Sequence, residues 1–161
     1  MQILMTQDDD HIYMQKAINE AHKAKERGEI PVGAVLIDTK TKKILAHNGN
    51  RTIERNDPTA HAEIMVIREA CQYFGTQRIP GTTLYVTLEP CSMCAVAIAY
   101  ARIDQLIFGA DDPKGGGVLH GVKFFDQPTC HHKINIRHGI QSAECSKILK
   151  DFFRAKRKKS H

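Results

Sequence analysis

The fold class the sequence predicts is a layered α/β domain with helices covering a mixed sheet. Segments with helical apolar spacing alternate with short apolar runs suited to strands, in the order α, β, β, α, β, α, β and then a final strand and helix. Residues 32–37 form a nearly continuous apolar run, as a strand buried on both faces requires. A chain of 161 residues that is 42% hydrophobic can bury one good core, so residues 1–161 are expected to make one domain.

The first element is an amphipathic helix, because Met14, Ala17, Ile18, Ala21 and Ala24 repeat at helical spacing, with Asp8 to Asp10 offered as caps and Gly28 as a stop. The strand at 32–37 then turns through the polar residues 39–42 into a second strand at 44–46, a hairpin. Helical spacing resumes over 62–70, residues 82–88 read as a buried strand, a helix runs from near Cys91 toward Arg102, and a strand follows at 105–109. About 20 residues then separate that strand from the last, near Ile134, enough for the crossover of a dozen or more that parallel pairing needs.

The charge is uneven. Residues 151–161 hold Arg154, Lys156, Arg157, Lys158 and Lys159 against Asp151 alone, a net of +4 in a chain whose total is +5. A basic tail at 154–161 attracts polyanions such as nucleic acid, and it equally suits a solvated, frayed terminus. No apolar run approaches the roughly 20 residues of a membrane span, and the start of the chain is too short for the apolar region of about 7–15 residues in a signal peptide. The expectation is a cytoplasmic protein with no membrane partner. Five cysteines fit reduced thiols serving a metal better than a disulfide framework. Cys71 falls on a helical core position, and Cys130 and Cys145 lack ligand spacing.

His61-Ala62-Glu63, followed by Pro90-Cys91-Ser92-Met93-Cys94, carries the chemistry. His61 and Glu63 fall at the start of one helix, and Cys91 and Cys94, three apart, share a face at the start of the next, with Pro90 suited to a first helical turn. Two helix N-termini would thus converge on one metal, and their partial positive charge favours thiolate over thiol. One imidazole and two thiolates are three zinc ligands, which leaves the fourth position open for solvent, as in catalytic sites. Glu63 is then the proton carrier. A structural zinc would need a fourth ligand, for which Cys130, His131 and His132 are the candidates, but such a site has no use for an acid two residues after its histidine. His11, His22, His47, His138 and His161 read as surface or packing histidines.

The constellation H-x-E with P-C-x-x-C resembles the zinc-dependent nucleobase deaminases. Further segments extend the likeness: residues 30–35, Asn50-Arg51, 57–64, 84–91, Phe108-Gly109-Ala110 with Asp112, and Phe152-Phe153-Arg154 resemble the bacterial tRNA-specific adenosine deaminases of the cytidine/deoxycytidylate deaminase superfamily. The resemblance covers most of the chain between about residues 10 and 157. It implies a three-layer α/β/α cytidine-deaminase-like fold with a central mixed five-stranded sheet, a homodimer, and conversion of a wobble adenosine to inosine in a tRNA anticodon stem-loop. It also implies one Zn2+ per chain on His61, Cys91 and Cys94, with Glu63 catalytic and with Val32, Asn50, Ala62 and Pro90 as substrate contacts. Asp112, Lys114, Phe153 and Arg154 follow as RNA contacts.

The chain departs from the family at Val96, where a glycine is usual, at Tyr100, at Leu119-His120-Gly121 and at His131-His132. Guanine or free-nucleoside deaminases would share the metal motif, and a non-catalytic RNA-binding module with structural zinc would keep the thiolates and the tail. Parallel last strands resemble the polynucleotide-acting branch. Phe152 and Phe153 stand open between anchoring the last helix and stacking on unpaired bases.

Overall fold

The computed structural model describes residues 5–159. Helix α1 (Gln7–Glu26) leads into the hairpin of β1 (Gly33–Asp38) and β2 (Ile44–Gly49), then α2 (Ala62–Phe74), β3 (Thr82–Leu88), α3 (Ser92–Ala101) and β4 (Gln105–Ala110). A 3-10 turn at Phe124–Asp126 lies on the way to β5 (Asn135–His138), and α4 (Ser142–Lys159) follows. The sheet has five strands in the order β2-β1-β3-β4-β5. β1 runs antiparallel to β2 and β3, whereas β3, β4 and β5 are mutually parallel, so the sheet is mixed and the predicted parallel final pair is present.

Strand alternation divides the core in two. Ala34, Leu36, Leu84, Val86 and Phe108 pack with Ala62, Val66, Ala95 and Ile98 of α2 and α3. Their strand neighbours Val35, Ile37, Tyr85 and Ile107 pack with Met14, Ala17 and Ile18 of α1 and Cys145 and Ile148 of α4. The result is three layers, α/β/α. Helix α1 lies close enough to the sheet that a Cβ at Gly33 would collide with the Ala17 carbonyl, which only glycine avoids.

Three local expectations are corrected. The cap of α1 is Thr6, whose hydroxyl accepts from the Asp9 N–H while Asp9 accepts from the Thr6 N–H, so Asp8, Asp9 and Asp10 occupy the first turn, where acids complement the helix dipole. Pro90 stands one residue before the N-cap of α3 instead of inside its first turn, because Cys91 is the cap. The basic segment is no frayed tail: α4 stays helical through Lys159, its basic residues exposed. His161 and Ser160 lie outside the described residues.

Asp10 itself is buried. Its Oδ1 accepts from the Tyr85 hydroxyl at 2.7 Å and from Arg137 at 3.0 Å, and its Oδ2 lies 2.8 Å from the same guanidinium as an ion pair, joining α1 to β3 and β5. Burial raises its carboxyl above the ordinary value, against the pull of Tyr85 and Arg137. Among the described residues no helix is long and apolar enough to cross a membrane.

Candidate metal centre and substrate pocket

His61 and Cys91 are the N-caps of α2 and α3, both with extended backbone, yet neither side chain bonds to its own helix. They turn to one another. His61 Nδ1 lies 3.7 Å from Cys91 Sγ and 3.5 Å from Cys94 Sγ, and the three donor atoms all fall within 4.8 Å of one another. Among the described residues this is the one group of three or more His, Cys, Asp or Glu so placed. Cys130 instead donates to the His132 carbonyl at 3.3 Å, and His132 Nε2 lies 2.6 Å from the Ile103 carbonyl, so neither is brought to the cluster.

The electrostatics fit a cation. Cys91 is pulled down to about 4, first by hydrogen bonding from Cys94 and then by His61. Cys94 is pushed up as the proton donor to Cys91 and by burial, and His61 is raised by its bond to Cys91 against its own desolvation. Two sulfurs and an imidazole thus meet at the positive ends of two helices, which favour a thiolate there, and a metal ion can bind between them. The donor set, two sulfurs and an imidazole, suits a borderline-soft divalent ion.

Glu63, in the first turn of α2, is 4% exposed and lies beside this group. Burial pushes its carboxyl up to about 6, against the pull of its backbone hydrogen bond and of His61 and Cys94. A cavity of about 450 Å³ is lined by His61, Glu63 and Cys91, by the apolar Ile30, Val32, Pro58 and Leu88, and by Glu89, Asp112 and Gly115. That size and lining suit a small aromatic ligand.

Asn50 at the end of β2 also lines the cavity. Its Nδ2 donates to the Ile30 carbonyl at 3.1 Å and its Oδ1 accepts from the Ala62 N–H at 2.8 Å, so the amide is fixed between two walls. The Pro90 carbonyl accepts from the Gly117 N–H at 2.8 Å. Lys114, Phe153 and Arg154 are exposed and lie off the lining. Asp151 is held low chiefly by the hydrogen bond from Lys147. Phe152 is buried and Phe153 exposed, so the two rings have different surroundings.

Two glutamates went unnoticed in the sequence. Glu29, 1% exposed, accepts from Thr52 Oγ1 and from the N–H groups of Ile53 and Glu54, holding the segment after Asn50. Glu89 does the same for residues 112–120; its burial raises the carboxyl, but the N–H groups of Asp112, Leu119 and Val118 and the His120 ring outweigh this and lower it on balance. An acid directly before Pro-Cys at the end of an apolar strand was the available signal for Glu89.

A family model of MafB19-like deaminases matches residues 8–157. The tRNA-specific adenosine deaminase of Agrobacterium fabrum is 55% identical over 90% of this chain and 94% of its own length. That of Bacillus subtilis is 46% identical over 96% and 94%. A solved structure from studies of A-to-I editing by tRNA:A34 deaminases at the wobble position superposes with a TM-score of 0.82 at 55% identity, covering 86% of this chain and 99% of that one. With its His-Cys-Cys cluster, buried glutamate and α/β/α sheet, the chain belongs to the family of tRNA-specific adenosine deaminases.

Proposed function

We propose that this chain hydrolytically deaminates adenosine to inosine at the wobble position of a tRNA anticodon, as one deaminase domain with a basic end at 154–161. The observation that carries the reading is the convergence of His61, Cys91 and Cys94 beside the buried Glu63 at one cavity. One Zn2+ per chain on these three donors would supply the Lewis acidity that makes water nucleophilic near neutral pH.

The protein's own groups do the rest. A Glu63 Oε accepts a proton from the attacking water and returns protons to the purine ring and to the departing ammonia as C6 becomes tetrahedral. Asn50 presents its remaining N–H and lone pair to the base edge, since one of each is already used by Ile30 and Ala62. The Ala62 backbone meets that edge together with Asn50. The Pro90 carbonyl keeps a lone pair beyond its bond to Gly117, and it accepts from the amino group as it leaves. Val32 packs on the base face. The nucleotide must be flipped out of its stack to enter.

Asp112, Lys114, Phe153 and Arg154 receive the flanking RNA. A second copy of the chain covers α3, whose outward positions Met93, Val96 and Ala97 are only half-buried and whose Tyr100 is 70% exposed, leaving that helix apolar all round. The site of action is the cytoplasm, where tRNA is matured.

Incubation with a wobble-adenosine stem-loop and, in parallel, with free adenosine, guanine and cytidine separates the readings. Inosine from the RNA alone is expected; ammonia from guanine or a free nucleoside would move the chain to the small-molecule deaminases. No product from any of them, with zinc bound, would favour the binding module.

The end of α4 gives a further expectation. Removal of residues 156–161 should weaken stem-loop binding and flatten its salt dependence. Phe153→Ala should cost binding on the order of 1–3 kcal/mol with little change in melting temperature, because that ring is exposed. Phe152→Ala should instead lower the melting temperature, since Phe152 is buried with Lys156 over its ring at 5.3 Å. Fluorescence titration and thermal melts of the three variants decide between solvated tail and RNA contact.

A further inference from the structure

We infer that Glu89 is a positioning residue, which fixes the substrate-facing segment 112–120 against the turn that carries Cys91. The inference rests on the deaminase reading above and adds to it a residue that borders the cavity but is not one of the three clustered donors.

Glu89 ends the strand layer one residue before Pro90, and its side chain is wholly buried. An acid so placed ordinarily meets a Lys or Arg. Here its recorded partners are backbone N–H groups and one imidazole. Oε1 accepts from the Asp112 N–H at 3.0 Å and from His120 Nδ1 at 2.8 Å, while Oε2 accepts from the N–H groups of Val118, Leu119 and His120 at 3.2, 2.9 and 3.2 Å. These fill the lone-pair capacity of a carboxylate. The two ends of one excursion, Asp112 and His120, are thereby gathered on a single side chain.

The glycines between them make the wrapping feasible. A Cβ at Gly116 would collide with Glu89 Oε2, and one at Gly117 would come to 2.5 Å from the Ser92 nitrogen. The Gly117 N–H meanwhile donates to Pro90 O. The segment is therefore docked on residues 89–92, and it is this segment that offers Asp112 and Gly115 to the cavity. Displacing it moves a wall of the pocket while leaving Glu63 and the His-Cys-Cys cluster in place. The loss should consequently fall on substrate binding and not on the chemical step.

Glu89→Gln keeps the shape but sets an NH2 group against N–H donors. In steady-state assays on the stem-loop it is expected to raise KM about 10–100-fold, the usual effect of an outer-shell support, with kcat within a few-fold and zinc content unchanged. Gly116→Ala should reproduce the KM effect. His120→Gln, which removes one of the five bonds and spares the fold, should show a smaller rise in the same direction. Amide hydrogen exchange at Val118, Leu119 and His120 should quicken in Glu89→Gln whatever substrate the protein takes. Unchanged protection at those amides overturns the positioning role, as does a fall in kcat at constant KM or a loss of zinc in step with activity. Wild-type protein assayed alongside keeps the questions apart: if it makes no inosine the deaminase reading has failed, and the exchange result still judges Glu89.

Discussion

Glu63→Ala is expected to retain its zinc and its melting temperature while losing turnover on the stem-loop. The carboxylate is not one of the three clustered donors, and its proposed work is on protons alone. Loss of one general acid–base group typically costs about 10²–10⁴-fold, and a group serving several transfers should stand at or above the upper end. The melting temperature should hold or rise, because a buried carboxyl displaced from its ordinary titration range by desolvation contributes little to stability. Near-wild-type inosine formation would require another proton carrier. Loss of zinc in the variant would make Glu63 a ligand.

Cys91→Ala should be comparably severe by a different route. Wild-type protein is expected to carry about one zinc per chain, with distances near 2.0–2.1 Å to nitrogen and 2.3 Å to sulfur and solvent as the fourth ligand. The variant keeps only His61 and Cys94, so metal analysis should find it largely empty and the assay should find it inactive. Its stability should fall as well. A ligand bound only by the folded state and present at 1,000 times its Kd stabilises that state by about 4 kcal/mol, and His61 and Cys91 leave their helices without side-chain caps. Chelator-treated wild type should melt like the variant. A full equivalent of zinc on Cys91→Ala, or an added protein ligand from Cys130 or His132 in the metal-loaded wild type, would refute the open three-ligand site.

What the sequence made legible was local. The spacing of His61, Glu63, Cys91 and Cys94 is set by two helix starts, and a helix start can be read from a few residues, so the sequence alone groups these four. The succession of helices and strands along the chain is legible in the apolar period, and the parallel last pair in the length of the excursion before it, whereas the order of strands within the sheet is not. Asn50, by contrast, emerged only through family likeness, since a lone amide between Gly49 and Arg51 has no period of its own. Glu29 and Glu89 were missed for a physical reason: their partners are main-chain N–H groups, which every non-proline residue possesses and which no letter advertises. Three aspartates at 8–10 obscure the cap of α1, which is Thr6, with Asp9 closing the capping box from N3. Phe152 and Phe153 could not be told apart in sequence, because adjacent residues on a helix point about 100° from one another and the direction of the sheet decides which is covered.

The pairing of α1 and α4 on one face of the sheet bears on how the chain is made. Arg137 reaches back to Asp10 and Gln141 to Gln15, joining segments more than a hundred residues apart. During synthesis His61, Glu63, Cys91 and Cys94 have all emerged once residue 94 has, whereas Tyr85 and Ile107 wait for Cys145 and Ile148 to cover them. Until β5 pairs, the edge of β4 is open as well. The nascent protein thus passes through an interval in which His61, Cys91 and Cys94 are present on an unfinished sheet, and the elements that end it, β5 and α4, are the ones that bring Phe153 and Arg154, the proposed RNA contacts.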